Sequence, residues 1–421
     1  MQRLPGFDDD YRFSLLPFWG NYRLVDFSLA NLCPGKDTEV TIFPDDPTRS
    51  ATASLASRWK KPVARVHVLE GGLTELARLV GACGADSVIL CSLSSVSVIE
   101  PEALRDLAAR AGEQVVKVSI GRTPIEMYVM SRDRCSMLLD AAIQRASGGA
   151  GERGSGAAAL RGFGAGAVPR GPGAGGERGV DAPARRGFDA ATLRAGFFEG
   201  VLHASIDLIE DLPGELLFQN DLMEYFESNM WVVSNCENER YHRIVSRLPP
   251  LAERTAESHI AEKGTIRNSW LGSGVEVEGV VEDSIIFANV TVKRNTVVSR
   301  SVVLNGNRIG TGTEIHNSLI LPFTTEVPRT APNIGDNCTI GAKSSVMRNA
   351  DFPTQIRGGV TLIGTNSDIP NGFHAEAASY VAPGVSPTVL KRMKVLRKGT
   401  SILDSRPAEV DAAGGNGRHA R

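Results

Sequence analysis

Two histidines and one run of cations are the residues of this sequence whose type and setting invite chemistry. His316 lies in Glu314-Ile315-His316-Asn317 and His374 in Gly372-Phe373-His374-Ala375. An imidazole can serve as general base toward a hydroxyl or an amine, because its ordinary pKa lies near neutrality. The plainer reading is an exposed histidine at a turn. Lys391-Arg392-Met393-Lys394, followed by Arg397-Lys398, suits an anion or an acidic partner surface, or else a solvated helix face. The six cysteines are scattered without a C-x-x-C pair, which fits reduced thiols better than a zinc site or a disulfide frame.

The elements that carry the two histidines are set by a repeat. Ser269-Trp270-Leu271, Ser284-Ile285-Ile286, Ser301-Val302-Val303 and Ser318-Leu319-Ile320 recur at intervals of 15, 17 and 17 residues. Between them aliphatic side chains return every five or six positions: Ile286, Val292, Val298, Val303, Ile309, Ile315, Ile320. That period is neither a helix's 3.6 nor a strand's 2.0. It is expected of a three-sided coil whose inward residues are buried only when coils stack. Gly, Asn, Asp and Lys between the aliphatics tolerate corner conformations. Ile334, Ile340 and Val346 extend the pattern, as do Ile363, Ile369, Ala375 and Val381 after a break at 347–359. The expected fold of 251–400 is a left-handed parallel β-helix of hexapeptide repeats. Hexapeptide acyltransferases use a histidine on such a helix as general base, so that resemblance makes His316 and His374 candidates for the same role, with coenzyme A as the implied ligand.

Ahead of the repeat, residues 12–146 alternate strands and helices. Glu39–Phe43, Ser87–Cys91, Gln114–Ile120 and Met127–Met130 read as strands; Thr74–Cys83 and the segment opened by Pro101 read as helices. The apolar run Ser87–Cys91 is expected to be covered on both faces. The pattern predicts an α/β domain with a mainly parallel sheet, spanning 1–146 and 189–250. Residues 147–188 are rich in Gly, Ala, Arg and Pro and are expected to be a disordered insertion. The last residues, 401–421, are expected to form a flexible tail. Pro387–Arg397 is expected to form a short helix on the last coil.

The stretch Pro17-Phe18-Trp19-Gly20-Asn21-Tyr22-Arg23-Leu24-Val25-Asp26-Phe27-Ser28-Leu29-Ala30-Asn31 resembles the P-F-G-G-x-Y-R-[IL]-I-D-F-x-L-S-N signature of bacterial glucose-1-phosphate adenylyltransferase, the ADP-glucose pyrophosphorylase family. Tyr225-Phe226-Glu227-Ser228-Asn229-Met230 is similar to that family's Y-[FY]-x-x-N-M helix. The resemblance implies a Rossmann-like nucleotidyltransferase domain before the β-helix, and a reaction joining glucose 1-phosphate to the α-phosphate of ATP with Mg²⁺. It also implies that Arg23, beside Tyr22, lies where phosphorylated effectors bind, a role that suits a guanidinium. The alternative is that Arg23 pairs with Asp26.

The family's catalytic parts are not matched. Only Arg3-Leu4 remain to match the end of its G-G-x-G-T-R-L loop, and an ungapped count back from Pro17 sets Phe13 at the loop's lysine. Where the family strand ends in G-D-H, with the aspartate on the metal, this chain has Ser92-Leu93-Ser94. The next carboxylate is Glu100, about 20 Å further along an extended chain. The sequence therefore resembles the family's regulatory-type, non-catalytic branch in glycogen synthesis, with Phe13 and Leu93 as degenerate catalytic positions and no resident metal or cofactor. Two other readings stay open: an active nucleotidyltransferase with a relocated metal site, and the acyltransferase. The resemblance further implies a homo- or hetero-oligomer with a catalytic subunit and a sugar-phosphate effector. A formal charge of −2 argues against a nucleic-acid binder that works by phosphate neutralisation. No apolar run of membrane-spanning length occurs, so a cytoplasmic protein is expected.

Overall fold

The computed structural model describes residues 16–18, 22–32, 39–42, 65–68, 73–91, 95–148, 194–219, 221–246, 248, 256–324 and 330–403. Phe13, Leu93 and most of the Gly/Ala/Arg-rich insertion lie outside them. Pro17 and Arg23 form an antiparallel bridge, a return of the chain, ahead of α1 (Leu24–Leu32). β1 (Glu39–Ile42) and β2 (Arg65–Val68) pair in parallel. There follow α2 (Leu73–Ala82), β3 (Ser87–Cys91), β4 (Ser95–Ile99), α3 (Pro101–Arg110), β5 (Val116–Ile120), β6 (Thr123–Ser131) and α4 (Arg132–Gly148). A π-helical stretch, Arg194–Leu202, and a 3₁₀ turn, His203–Ser205, precede β7 (Leu208–Asp211), β8 (Gly214–Gln219), α5 (Leu222–Asn235) and α6 (Glu239–Val245).

The mainly parallel sheet expected from the alternation is not what these strands make. A four-stranded sheet runs β3-β6-β5-β7, and only β5–β7 is parallel within it; β4 and β8 form a separate antiparallel pair. The cause is local. Gly121 and Arg122 both have positive φ, 56° and 67°, the backbone of a two-residue hairpin turn, which folds β6 back beside β5. β3 ends the sheet and only Leu90 in it is fully buried, but both its faces are covered in part: Val88 and Leu90 pack on one apolar cluster, Ile89 and Cys91 on another.

The repeat region forms a three-sided parallel β-helix. One seven-stranded sheet runs from Thr265–Arg267 to Val395–Leu396, and another from Trp270–Leu271 to Ser401–Ile402. A third, of four strands, runs from His259–Ile260 to Arg308–Ile309 and is prolonged by bridges through Ile334 and Ile369. The aliphatics stack in register, as in Val281, Val298, Ile315, Ile340, Ala375 and Leu396, all buried.

The repeated serine has its own reason. Before each one stands a residue of positive φ: Asn268, Asp283, Arg300 and Asn317. Each serine hydroxyl donates to the carbonyl two residues back, and the first three accept the N–H of the next coil's serine, at 3.0 Å from Ser284 to Ser269 and 3.1 Å from Ser301 to Ser284 and from Ser318 to Ser301. One corner of the prism is thus sealed by a ladder that an aliphatic side chain cannot form. Val346, expected to continue the aliphatic pattern, is 94% exposed. The inward columns pass from Ile340 to Ala375 and from Ile320 to Ile363, leaving 342–360 as an excursion outside both registers.

α7 (Pro387–Met393) caps the last coil, with Leu390 buried and Ser386 accepting the Thr388 N–H. The two regions share one apolar core that includes Phe18, Phe27, Leu222, Tyr225, Ile286 and Val303. No helix among the described residues is long and apolar enough to cross a membrane.

Candidate functional site

The Pro17–Asn31 signature spends most of its side chains on structure. Phe18 is buried against Phe27 (5.5 Å between centroids, edge-on) and Tyr225 (6.0 Å), and the Phe18 N–H closes the return on the Tyr22 carbonyl at 2.8 Å. Asn31, buried at the end of α1, donates to the Ser97 carbonyl at 2.8 Å and accepts the Ile99 N–H at 3.0 Å, which fastens α1 to β4. Asp26 is fully buried and accepts the Arg23 backbone N–H at 2.8 Å, so it fixes the backbone of Arg23 rather than its charge.

Arg23 itself is half-buried, and its guanidinium has no ion pair or hydrogen bond among the described residues. Tyr22 beside it packs edge-on to Phe27 at 6.4 Å. The bridge partner of Arg23, Pro17, accepts the Tyr225 hydroxyl at 2.6 Å. One turn before Tyr225, Asp221 caps α5 by accepting the N–H groups of Met223 and Glu224 at 2.7 and 3.0 Å. Asp221 also binds Arg357 of the β-helix excursion at 3.0 Å. A chain of contacts thus links the return through Tyr225 and Asp221 to the excursion, and the Arg23 guanidinium beside it has no partner among the described residues. Such a group is suited to a phosphate.

A second polar cluster, which the sequence reading missed, lies on the four-stranded sheet. Lys117 is buried, with Nζ 2.8 Å from Glu126 Oε1, 3.5 Å from His203 Nε2 and 5.3 Å from the centre of the Tyr128 ring. The Tyr128 hydroxyl donates to Glu126 Oε2 at 2.7 Å. Burial pushes the Glu126 carboxyl up, but hydrogen bonds from Lys117 and Tyr128 outweigh it and hold the group below the usual carboxylate range. Burial, and then the bond to Glu126, push the Tyr128 phenol up. Each charge is answered inside the cluster, so it clamps the 194–205 segment to the sheet. The signal was in the sequence: Lys117 and Ser119 interrupt Val116-Lys117-Val118-Ser119-Ile120, every residue of which is buried, and a buried lysine needs a partner.

Of the two candidate histidines, His316 does not present a free base. His316 is 4% exposed, with Nδ1 2.6 Å from Ser299 Oγ and Nε2 3.3 Å from Glu314 Oε2. Both nitrogens are taken, and general base catalysis needs one open to substrate. His374 is half-buried with no polar side-chain partner among the described residues.

After β3 the sequence carries no carboxylate before Glu100. β3 finishes at Cys91, whose thiol burial pushes up to about 12, so it stays protonated at neutral pH. Mg²⁺ takes oxygen ligands, and a carboxylate above all, whereas Ser92-Leu93-Ser94 supplies only hydroxyls beyond that thiol.

Stacked coils on a repeat of this length define a hexapeptide-repeat β-helix protein, and comparison with known proteins agrees. The family described as GlmU-like, C-terminal hexapeptide matches residues 251–362. The chain is also distantly homologous to glucose-1-phosphate adenylyltransferase. It is 25% identical over 150 residues to that of Desulfitobacterium hafniense, covering 35% of this chain and 33% of the relative. Over 83 residues it is 34% identical to those of Bacillus mycoides and Bacillus thuringiensis, covering 20% of this chain and 21% of each relative. The chain spans a third or less of the length of these curated relatives.

Proposed function

We propose that this chain is a regulatory-type relative of glucose-1-phosphate adenylyltransferase in glycogen synthesis that does not itself catalyse the reaction. It acts by pairing with a catalytic subunit and by receiving a sugar phosphate at the Arg23 junction. The observation that carries the non-catalytic half is the leucine, Leu93, at the position where the resemblance puts the metal-binding aspartate. The distant homology supports the family side of the reading, and the Arg23 guanidinium, which has no partner among the described residues, supports the effector side.

Pyrophosphate release from ATP and glucose 1-phosphate with Mg²⁺ tests the first half. The purified chain should release none above background, and steady turnover would overturn the reading. Calorimetric titration with glucose 1-phosphate tests the second. Binding should be lost in Arg23→Ala and largely kept in Arg240→Ala, a cation distant in sequence and engaged by Glu215. Equal binding by Arg23→Ala and the parent chain would remove Arg23 from the site.

A further inference from the structure

One constellation of reactive groups takes no part in the proposed function. In the long sheet that begins at Thr265–Arg267, Val281, Val298 and Ile315 point into the prism, so the residue after each stands on the outer face. Register stacks those residues as Glu282, Ser299 and His316, with Arg267 ahead of them and Gly341 behind. Arg267 pairs with Glu282 at 2.9 Å, and Gly341 presents no side chain. Between them Ser299 Oγ lies 2.6 Å from His316 Nδ1, and His316 Nε2 lies 3.3 Å from Glu314 Oε2. An imidazole that accepts at Nδ1 carries its proton on Nε2, where the carboxylate receives it. A hydroxyl, a base and a carboxylate that orients the base are joined in the order that turns a serine into a nucleophile.

His316 is closed to a substrate because Nδ1 is occupied, but its occupant is the hydroxyl itself, so the base can act through Ser299. Ser299 is half-buried while His316 is buried, which leaves the serine as the group a substrate meets. The corner that follows gives a second, independent sign. Of the four corner residues with positive φ that precede the serine ladder, Asn268, Asp283 and Asn317 have short polar side chains that tolerate the left-handed region, whereas the fourth is Arg300, at 46°. Strain of this kind gathers at functional positions. Arg300 is bonded to Ser299, and its exposed guanidinium has no ion pair or hydrogen bond among the described residues. It is the cation at hand to answer an oxyanion formed on Ser299.

We propose that Ser299 is the nucleophile of an acyl-transfer site, with His316 as its general base, Glu314 orienting the imidazole and Arg300 opposing the oxyanion, and that its substrate is a carboxylic ester with a short acyl group. Glu282 and His316 flank the serine one strand away on either side, about 5 Å, which keeps the acyl group short. Ser299 Oγ bonds to the ester carbonyl carbon as its proton passes to His316 Nδ1. The tetrahedral oxyanion collapses, the bond to the alcohol oxygen breaks, and the alcohol leaves with that proton. Water then repeats the step on the acylated serine, giving the carboxylic acid and the free hydroxyl. The site shares no residue with the Arg23 region, so it stands or falls apart from the proposed function.

The full chain is tested with an alkyl fluorophosphonate as label and p-nitrophenyl acetate as substrate. Peptide mass spectra should place the phosphonyl group on Ser299 in the parent and nowhere in Ser299→Ala, and labelling should slow at least about a hundredfold in His316→Gln. Ester hydrolysis should fall to the uncatalysed background in Ser299→Ala. Glu314→Gln should lower kcat at least about tenfold and leave KM in place, the mark of a group that orients the base and binds no substrate. Arg300→Asn, which suits the corner, should unfold at higher denaturant yet hydrolyse at least about tenfold more slowly. Ser299→Ala keeps the carbonyl that the Ser301 hydroxyl and the Asn317 N–H use, so it should unfold with the parent, and it decides the matter even where His316→Gln does not fold. The proposal is overturned by a parent chain left unlabelled at Ser299, by hydrolysis that survives in Ser299→Ala, by a folded His316→Gln that labels at the parent's rate, or by parent-like kcat in both Glu314→Gln and Arg300→Asn; the 2.6 Å contact would then be a structural hydrogen bond.

Discussion

The Tyr225 hydroxyl donates to the Pro17 carbonyl at 2.6 Å across 208 positions of sequence, in fully buried surroundings. The two stretches that resemble the adenylyltransferases are thereby bonded to each other, and both pack into the core that continues down the β-helix. What looks in the sequence like a ligand-binding signature is, side chain by side chain, mostly the joint between two regions. Arg23 is the part of it whose side chain makes no such contact among the described residues.

Removing that hydroxyl should loosen the joint without dismantling it. Tyr225→Phe leaves a buried carbonyl without its donor and should cost about 1–3 kcal/mol in denaturant unfolding. Phe18→Ala, which empties a site filled by a fully buried ring, should cost about 3–5 kcal/mol. A Tyr225→Phe variant as unstable as Phe18→Ala would show that the hydrogen bond, and not ring packing, holds the joint.

Asp221 has two jobs that substitution can separate. Asp221→Asn keeps a side-chain oxygen for the helix cap and weakens the pair with Arg357; Asp221→Ala loses both. Capping should account for about 0.5–2 kcal/mol. The ion pair, each partner about a third exposed, should add less than about 1 kcal/mol. Arg357→Ala and Asp221→Asn should therefore be nearly alike and milder than Asp221→Ala, as measured by urea midpoints at constant slope.

The serine ladder gives the β-helix a polar dependence that its aliphatic pattern hides. In Ser301→Ala the buried N–H of Ser318 loses its acceptor, so about 1–3 kcal/mol should be lost although one atom fewer is packed. Ile315→Ala should cost about 2–5 kcal/mol by cavity formation. If Ser301→Ala unfolds at the parent's denaturant midpoint, the ladder is ornamental and the aliphatic columns alone hold the coils.

The β-helix was legible because one residue in five or six repeats a single physical role, and errors at single positions cancel over many coils. Val346 shows the limit: an aliphatic with the right spacing still faces solvent when the chain has left the prism. The α/β part was legible as elements and not as a sheet. Strands β3, β5 and β6 were foreseen, but direction depends on turns, and the Gly121-Arg122 hairpin is one residue pair in a region read for alternation. Strand β4 was missed because Ser95-Val96-Ser97-Val98-Ile99 was read only for its want of carboxylates, when its alternation is that of a strand. Arg23 and Tyr22 were found by resemblance. That Asp26 would hold the Arg23 backbone N–H, leaving the guanidinium without a partner among the described residues, is local geometry that spacing does not encode.

Thiol labelling should follow burial. Cys135 has no exposed surface, and burial, helped by the nearby Cys83, pushes its thiol up to about 12; burial likewise raises Cys338. Only thiolates alkylate readily. In the native chain at pH 8, iodoacetamide should modify the exposed Cys236 first and leave Cys135 and Cys338 intact until denaturant is added, as read by peptide mass spectrometry. Early loss of Cys135 would mean that α4 does not pack as described.

The Lys117 cluster should make stability depend on pH at the acid end. Glu126 is held below its ordinary range by Lys117 and Tyr128 against the opposing effect of burial. A carboxyl lowered in the folded state contributes stability that is fully present above its unfolded pKa, about 4.3 for glutamate, and is lost as pH falls through the lower folded value. Because Glu126 is more than a third exposed, the contribution at neutral pH should be no more than about 1 kcal/mol rather than the larger figure of a sealed pair. Glu126→Gln should therefore lie below the parent in stability at pH 7 and approach it as pH falls below about 4. His203→Gln, which leaves the Lys117–Glu126 pair in place, should change the neutral value less. A gap between parent and Glu126→Gln that stays constant down to the acid limit would show that the carboxylate's charge contributes nothing to holding the 194–205 segment on the sheet.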